Sequence, residues 1–384
     1  MRPNRVTFRA QMNDAPGPRP HSAPPAGVSR DSAAPQRPND AALAAVTQDA
    51  VAPGATDAQA MARGLARKVM IAALFGGLVF AGLALYGDVQ QLRHAAMSFA
   101  PAAVALGFAL AAGNYVLRIW RWQYYLRCLG VAIPLFESSV VFLAGFVMSV
   151  TPGKVGEVFK SLLLYELRGV SMLKTAPIVI AERLTDLIAL VLLTAVGALA
   201  FEHGVAIAGA GAVIVAAIVA VFAYRPFGEY CIGLLERIPK LSKVGHKLHE
   251  AYDSLLTMLR PGPLLFGTLI AFSAWSLECG TLYAIVRGFP GVHLNWDAAT
   301  FAYAASTIVG ALAMLPGGLG VTEAGMTGLL QALGGPEMTK AVATAATMLT
   351  RLATLWFAVG IGWVALTVYR TSLRTRDHDL QHTQ

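Results

Sequence analysis

Charged side chains make up only 14% of this 384-residue chain, and several sit where apolar runs leave them little water. Lys154, Glu157 and Lys160 follow the turn "TPGKVGE" at i, i+3 and i+6, so a helix places them on one face. Glu182, Arg183 and Asp186 fall inside the apolar run 175–200, Glu278 inside 263–286 and Arg351 inside 341–368; Glu323 follows a second turn, "MLPGGLG". An unpaired charge in hydrocarbon costs on the order of 3 kcal/mol, so each must pair or face water. Two readings follow. In one, Lys154, Lys160, Arg183 and Arg351 hold an anion, with the arginine forks suited to phosphate. In the other, the charges are internal salt bridges that fix helix packing, such as Glu157 with Arg183 or Glu323 with Arg351. Glu182, Asp186 and Glu278 read as intramembrane pairing partners.

Two breaks must position these residues. Pro152-Gly153 and Pro316-Gly317 each interrupt an apolar helix: proline stops it, and glycine allows the turn. The short helix that follows then starts inside the bilayer with unpaired N–H groups, whose dipole favours an anion. Gly156, Gly318 and Gly320 keep side chains away from that backbone, so a ligand can approach it. The substrate-binding candidates are therefore Lys154, Gly156, Glu157, Lys160, Arg183, Gly318, Gly320, Glu323 and Arg351. The order of features is the same at both breaks: apolar helix, Pro-Gly turn, Gly, Glu, short helix, span with an arginine. That order is an internal repeat. Irregular backbone at membrane depth is tolerated only where protein or a wet cavity covers it, and paired broken helices are a transporter feature. The second repeat has no counterpart of Lys154.

The rest of the chain fits a membrane setting. The sequence is 56% hydrophobic with mean hydropathy +0.57, and apolar runs of spanning length recur at 69–86, 101–117, 175–200, 205–224, 263–286, 296–315 and 341–368, with 133–150 shorter. Lys and Arg placement orients them. With both termini inside, and 133–166 and 296–333 as re-entrant hairpins, seventeen bases fall in inside segments and three (Arg93, Arg287 and Lys340) outside. The expectation is an all-α polytopic membrane protein of about six spans plus two re-entrant Pro-Gly hairpins in inverted repeats, or about eight hydrophobic segments. Residues 1–65 read as a disordered cytoplasmic tail, 66–370 as the transmembrane domain and 371–384 as a second cytoplasmic tail. Segment 225–262 reads as an amphipathic helix or helical pair on the cytoplasmic face, or else as a solvated loop docked on the bundle. The net charge of +8 reflects cytoplasmic loops rather than nucleic acid. Cys128, Cys231 and Cys279 read as packing residues, and no metal site or cofactor is expected. Arg118, Arg121, Trp120 and Trp122 read as an interfacial anchor. No HExxH or GxSxG motif is present, so no enzyme is expected.

"PGKVGEVFKSLLL", "AERLTDLIALVLL", "LPGGLGVTEAG" with Arg351 downstream, and "RIWRWQYYL" together resemble the lysylphosphatidylglycerol synthase transmembrane region family, also called flippase-like or UPF0104. The resemblance covers roughly 65–370. It implies translocation of an amphipathic, anionic lipid or lipid-linked substrate between leaflets of a bacterial inner membrane. It points to phospholipid, isoprenoid-linked or hopanoid-type lipids and to the break residues and charges named above. The resistance proteins of this family continue into a cytosolic aminoacyl transferase domain; with 14 residues after Arg370, that activity is not expected here. The alternative is a non-transporting scaffold for a lipid-modifying or glycan-assembly enzyme, recruited through 225–262.

Overall fold

The computed structural model describes residues 55–150, 157–199, 201, 204–236 and 245–382. The chain divides into two units, 1–59 and 60–384. Of the first, only the start of a helix at Ala55 is described. The candidate residues Pro152, Gly153, Lys154 and Gly156 lie outside the described residues, as do most of 1–65 and the stretch 237–244.

Every described element is helical, and no strand occurs among the described residues. Helix α1 (Ala55–Tyr86) bends by 91° into α2 (Val89–Ser98) through Asp88, a non-glycine residue with φ 63°. Helix α3 (Pro101–Cys128) opens with proline at its first turn, where the missing N–H costs nothing. Helix α4 (Leu135–Ala144) tightens into a 3₁₀ turn over Gly145–Val150 ahead of the first break. Beyond it come α5 (Phe159–Arg168) and α6 (Met172–Ala198), separated by Gly169 in the left-handed conformation. Helices α7 (Gly204–Ala223), α8 (Arg225–Glu236) and α9 (Gly245–Met258) lead to α10 (Pro261–Val286). Helix α11 (Trp296–Leu312) reaches the second break, and α12 (Val321–Leu333) and α13 (Lys340–Arg351) follow. A π-helical turn over Leu352–Trp356 joins α13 to α14 (Phe357–His382) in one long span.

Two hydrophobic clusters mark two ends of this bundle. One gathers Trp122, Val141, Leu163, Ile178, Met258 and Leu366; the other gathers Leu193, Leu282, Ala299, Met326, Leu330 and Ala343. The two broken hairpins enter from opposite ends. At the first end, Arg168 of α5 grips Glu137 of α4 with two hydrogen bonds of 2.8 and 2.5 Å, so this hairpin leaves where it entered. At the second end, Gln331 of α12 and Lys340 both meet Tyr86, and Phe301 of α11 packs on Phe201 beyond α6. The second break approaches the end of the first hairpin's 3₁₀ turn: a Cβ on Gly317 would lie 3.7 Å from the Val150 side chain.

Each repeat's arginine-bearing span packs on the other repeat's broken helix. Helix α6 lies on α11, and α14 lies on α4 and its 3₁₀ turn. A glycine makes each crossing close. A Cβ on Gly197 would stand 2.7 Å from the Asp297 carbonyl, and one on Gly362 would stand 2.6 Å from the Val147 nitrogen. Such reciprocal packing is what a two-fold relation between repeats generates.

Among the described residues, three helices are long and apolar enough to cross a membrane: Pro101–Cys128, Pro261–Val286 and Lys340–Thr371. Two more are added if each bent pair, α1–α2 and α7–α8, is one span. Helix α6 has the length of a span, but its central charges dilute its apolarity; Ile180, Leu192 and Val196 are exposed, while Glu182, Arg183 and Asp186 line the interior. Helix α1 begins at Ala55, and α14 continues to His382. Segment 225–262 forms two helices rather than a loop among its described residues.

Candidate functional site

The centres of α3, α6 and α10 carry polar residues that apolar flanks bury. On α3, Asn114, Arg118, Arg121 and Tyr125 fall at i, i+4, i+7 and i+11, one stripe of a helix. Asn114, Arg118 and Arg121 of that stripe face Glu182, Arg183 and Asp186 of α6 and Trp275 and Glu278 of α10 across a cavity of about 350 Å³. The second break closes one side of the cavity with Gly317, Gly318 and Thr322. Glu157 and Lys160 come from the segment after the first break, and Arg351 and Thr354 from the last span. Because these residues lie midway along their helices, the cavity sits near the middle of the bundle.

Asp186 organises the cationic wall. Its carboxylate accepts from Arg121 at 2.7 Å and pairs with Arg183 at 2.9 Å and Arg118 at 3.6 Å. Arg183 also reaches Glu157 at 3.2 Å. Arg118 makes no hydrogen bond to Asp186; its guanidinium stacks over the Trp275 ring, 4.7 Å from the centroid. The Nε–H groups of Arg118, Arg121 and Arg183 and the indole N–H of Trp275 are buried with no acceptor among the described residues. Asn114 Oδ1, Glu182 Oε1 and Asp186 Oδ2 of the same wall are likewise buried without a hydrogen-bond donor among the described residues, so unmatched donors and acceptors lie side by side around the cavity.

Lys160 is held differently. Its stem crosses Gly145, where a Cβ would clash at 2.4 Å, and its ammonium pairs with Glu182 at 2.6 Å between the rings of Trp122 and Phe142. At the second break, Gly317, Gly318 and Gly320 all have positive φ (60°, 68° and 88°), which side chains resist. Glu323 accepts from the Gly320 N–H at 2.6 Å and from Arg351 Nε at 2.5 Å, and Arg351 donates a second bond to the Gly317 carbonyl at 2.7 Å. Arg351 therefore fastens the turn to the span. The π-helical turn beside it exposes the Thr354 carbonyl, which Tyr115 satisfies at 2.9 Å.

Of the substrate-binding candidates, Glu157, Lys160, Arg183, Gly318 and Arg351 line the cavity. Glu323, fully buried, lies behind Arg351. Gly320 does not line the cavity; its φ explains it, since a side chain there would find open space toward Val79. Both suggested ion pairs, Glu157–Arg183 and Glu323–Arg351, are formed. The reading of Arg118, Arg121 and Trp122 as an interfacial anchor is corrected: Arg121 and Trp122 are buried and Arg118 lines the cavity, while Trp120 alone is outward, 56% exposed. Their spacing from Asn114 was the available signal.

Residues 69–362 match the family model described as the lysylphosphatidylglycerol synthase TM region. The chain belongs to this family. A UPF0104 membrane protein of Methanothermobacter thermautotrophicus is 25% identical over 313 residues, covering 75% of this chain and 90% of that protein. A second match to a UPF0104 membrane protein of the same organism is 28% identical over 101 residues, 26% of this chain and 29% of that protein. The matched region of the lysylphosphatidylglycerol synthase TM family holds every wall of the cavity, from α3 to the start of α14.

Proposed function

We propose that this membrane protein moves an amphipathic lipid with an anionic head group between leaflets. The carrying observation is the mid-bundle cavity where both hairpins and five cationic side chains converge among the described residues. A phosphate complements a cationic wall, and the arginine fork suits its geometry. The tails remain in the bilayer while the head crosses through the polar interior. The hairpins enter from opposite ends and meet at the cavity, so closing one and opening the other would expose the head to each leaflet in turn. Arg118 and Arg183 are the head-group contacts; Arg351 and Lys160 are committed to Glu323 and Glu182 and shape the wall.

The basic residues at the ends suggest the orientation. Arg127, Arg168, Lys174, Arg260 and Arg370 sit at the first end, whereas Arg93, Arg287 and Lys340 sit at the second. The positive-inside rule then turns the first end, both termini and helices α8 and α9 to the cytoplasm of a bacterial inner membrane. The chain acts without enzymatic chemistry in this reading. The test is reconstitution into vesicles with tail-labelled phosphatidylglycerol or phosphatidylcholine. Faster leaflet exchange of the anionic lipid than in protein-free vesicles is expected; no acceleration of either lipid rejects the reading.

A further inference from the structure

Five cationic side chains line the cavity: Arg118, Arg121, Lys160, Arg183 and Arg351. Four carboxylates pair with them, Glu157, Glu182, Asp186 and Glu323, and Asp186 is shared by three guanidinium groups. Among the described residues, which exclude Lys154, this paired set carries one surplus positive charge. Glu278 is the remaining carboxylate of the wall. It is buried, 8% exposed, and makes no ion pair among the described residues; the Tyr303 hydroxyl donates to it. Tyr115 and Arg118 reach this part of the cavity from α3, Arg183 and Asp186 from α6, Tyr303 from α11 and Arg351 from α13. Cys279 adjoins it on α10, and α9, which also packs on α10, supplies none of the wall.

An intramembrane ionisable residue is a functional-site candidate, and among the described residues Glu278 has a tyrosine hydroxyl rather than a cation as its hydrogen-bond partner. Ionised, Glu278 balances the one surplus positive charge counted among the described residues. Protonated, it leaves that charge for an incoming anion. We propose that Glu278 is the proton-binding residue of the cavity and that one proton on it accompanies each singly charged phosphate-diester head group. This rests on the anionic head-group reading above and adds the coupled ion. Lipid and proton then form a neutral cargo, on which the membrane potential does no work. Binding and protonation are linked reciprocally. The affinity is highest at acidic pH and falls by up to about tenfold per pH unit once the free site has lost its proton.

The test is titration calorimetry of the full chain in detergent with dihexanoylphosphatidylglycerol, in two buffers of different ionisation enthalpy. The diester stays singly charged throughout, so any proton taken up belongs to the protein; dihexanoylphosphatidylcholine is the zwitterionic control. About one proton per bound lipid is expected on the alkaline side, with affinity falling about tenfold per pH unit. Glu278→Gln should bind with pH-independent affinity and no uptake. Tyr303→Phe removes a donor that favours the ionised carboxylate, so the fall in affinity should move to higher pH with uptake retained; it serves if Glu278→Gln does not fold. Binding without proton uptake, uptake that survives in Glu278→Gln, or an unmoved profile in Tyr303→Phe overturns the proposal and leaves the head-group reading standing. No binding of the diester at any pH overturns both.

Discussion

Arg351 and Arg118 line the same cavity, yet they stand in different relations to their neighbours. Arg351 is the partner of a fully buried Glu323 and also ties down the Gly317 carbonyl. Arg351→Met strips a buried carboxylate of its cation, a change that costs about 3–5 kcal/mol. A strongly lowered thermal melt is the expected result, and a melt within a degree or two of the unmodified protein would refute the fastening role. Arg118 is the least committed of three cations around Asp186, at 3.6 Å with no hydrogen bond. In Arg118→Met, Arg121 and Arg183 still neutralise Asp186, and the methionine keeps an apolar contact with Trp275. The melt should hardly change while exchange of anionic lipid in vesicles is lost. Wild-type exchange in this variant would remove Arg118 from the head-group site. Arg183→Lys lies between: it keeps the charge near Asp186 and Glu157 but loses the planar fork, and an exchange rate reduced several-fold at an unchanged melt is expected.

The helices meet closely where glycine allows it, and the two reciprocal crossings depend on one glycine each. In α14, Gly362 abuts the Val147 backbone, whereas Gly360 faces open space two residues earlier. Alanine ordinarily helps a helix relative to glycine by roughly 0.5–1 kcal/mol. Gly360→Ala should therefore be neutral or mildly stabilising. Gly362→Ala and Gly197→Ala press a methyl against backbone that no rotamer change can move aside, at a cost of about 1–3 kcal/mol. Melts in which Gly362→Ala is as stable as Gly360→Ala would disprove the close crossing. This scale was the most legible in the sequence. The apolar runs 101–117, 175–200, 205–224 and 263–286 became α3, α6, α7 and α10, because spanning length and helix breakers are written locally. The Pro-Gly turns likewise announced the second break. Arg118 and Arg121 were misplaced because the apolar run of α3 stops at Arg118. The helix in fact continues to Cys128, and only contacts with α6 and α10 show which way the stripe points. Trp275 and Tyr303 carried no local signal at all; they acquire a role only from the charges that tertiary packing brings beside them.

Across the whole molecule, the positions of the two hairpins and of the basic residues make one joint demand on topology. Gly204 begins α7 just after Phe201, which packs on Phe301 of α11, and Gly291 lies in the turn that leads into α11. Both positions therefore belong to the second end of the bundle. Thr371 lies beyond Tyr369, whose hydroxyl bonds the Leu163 carbonyl of α5 at 2.8 Å, and so belongs to the first end with Arg168 and Glu137. A membrane-impermeant thiol reagent added to intact cells distinguishes the two ends, provided Cys128, Cys231 and Cys279 are first replaced. Single cysteines at Gly204 and Gly291 should label from outside, and one at Thr371 only after the membrane is opened. The positive-inside distribution sets the direction of this outcome and the fold sets the grouping, so the two can fail separately. Labelling of Thr371 from outside, with Gly204 and Gly291 both protected, would invert the orientation but keep the opposed hairpins. Gly204 and Gly291 on opposite sides would break the pairing of α6 with α11 across the bundle. With it would go the idea that two hairpins from opposite leaflets share one mid-membrane cavity.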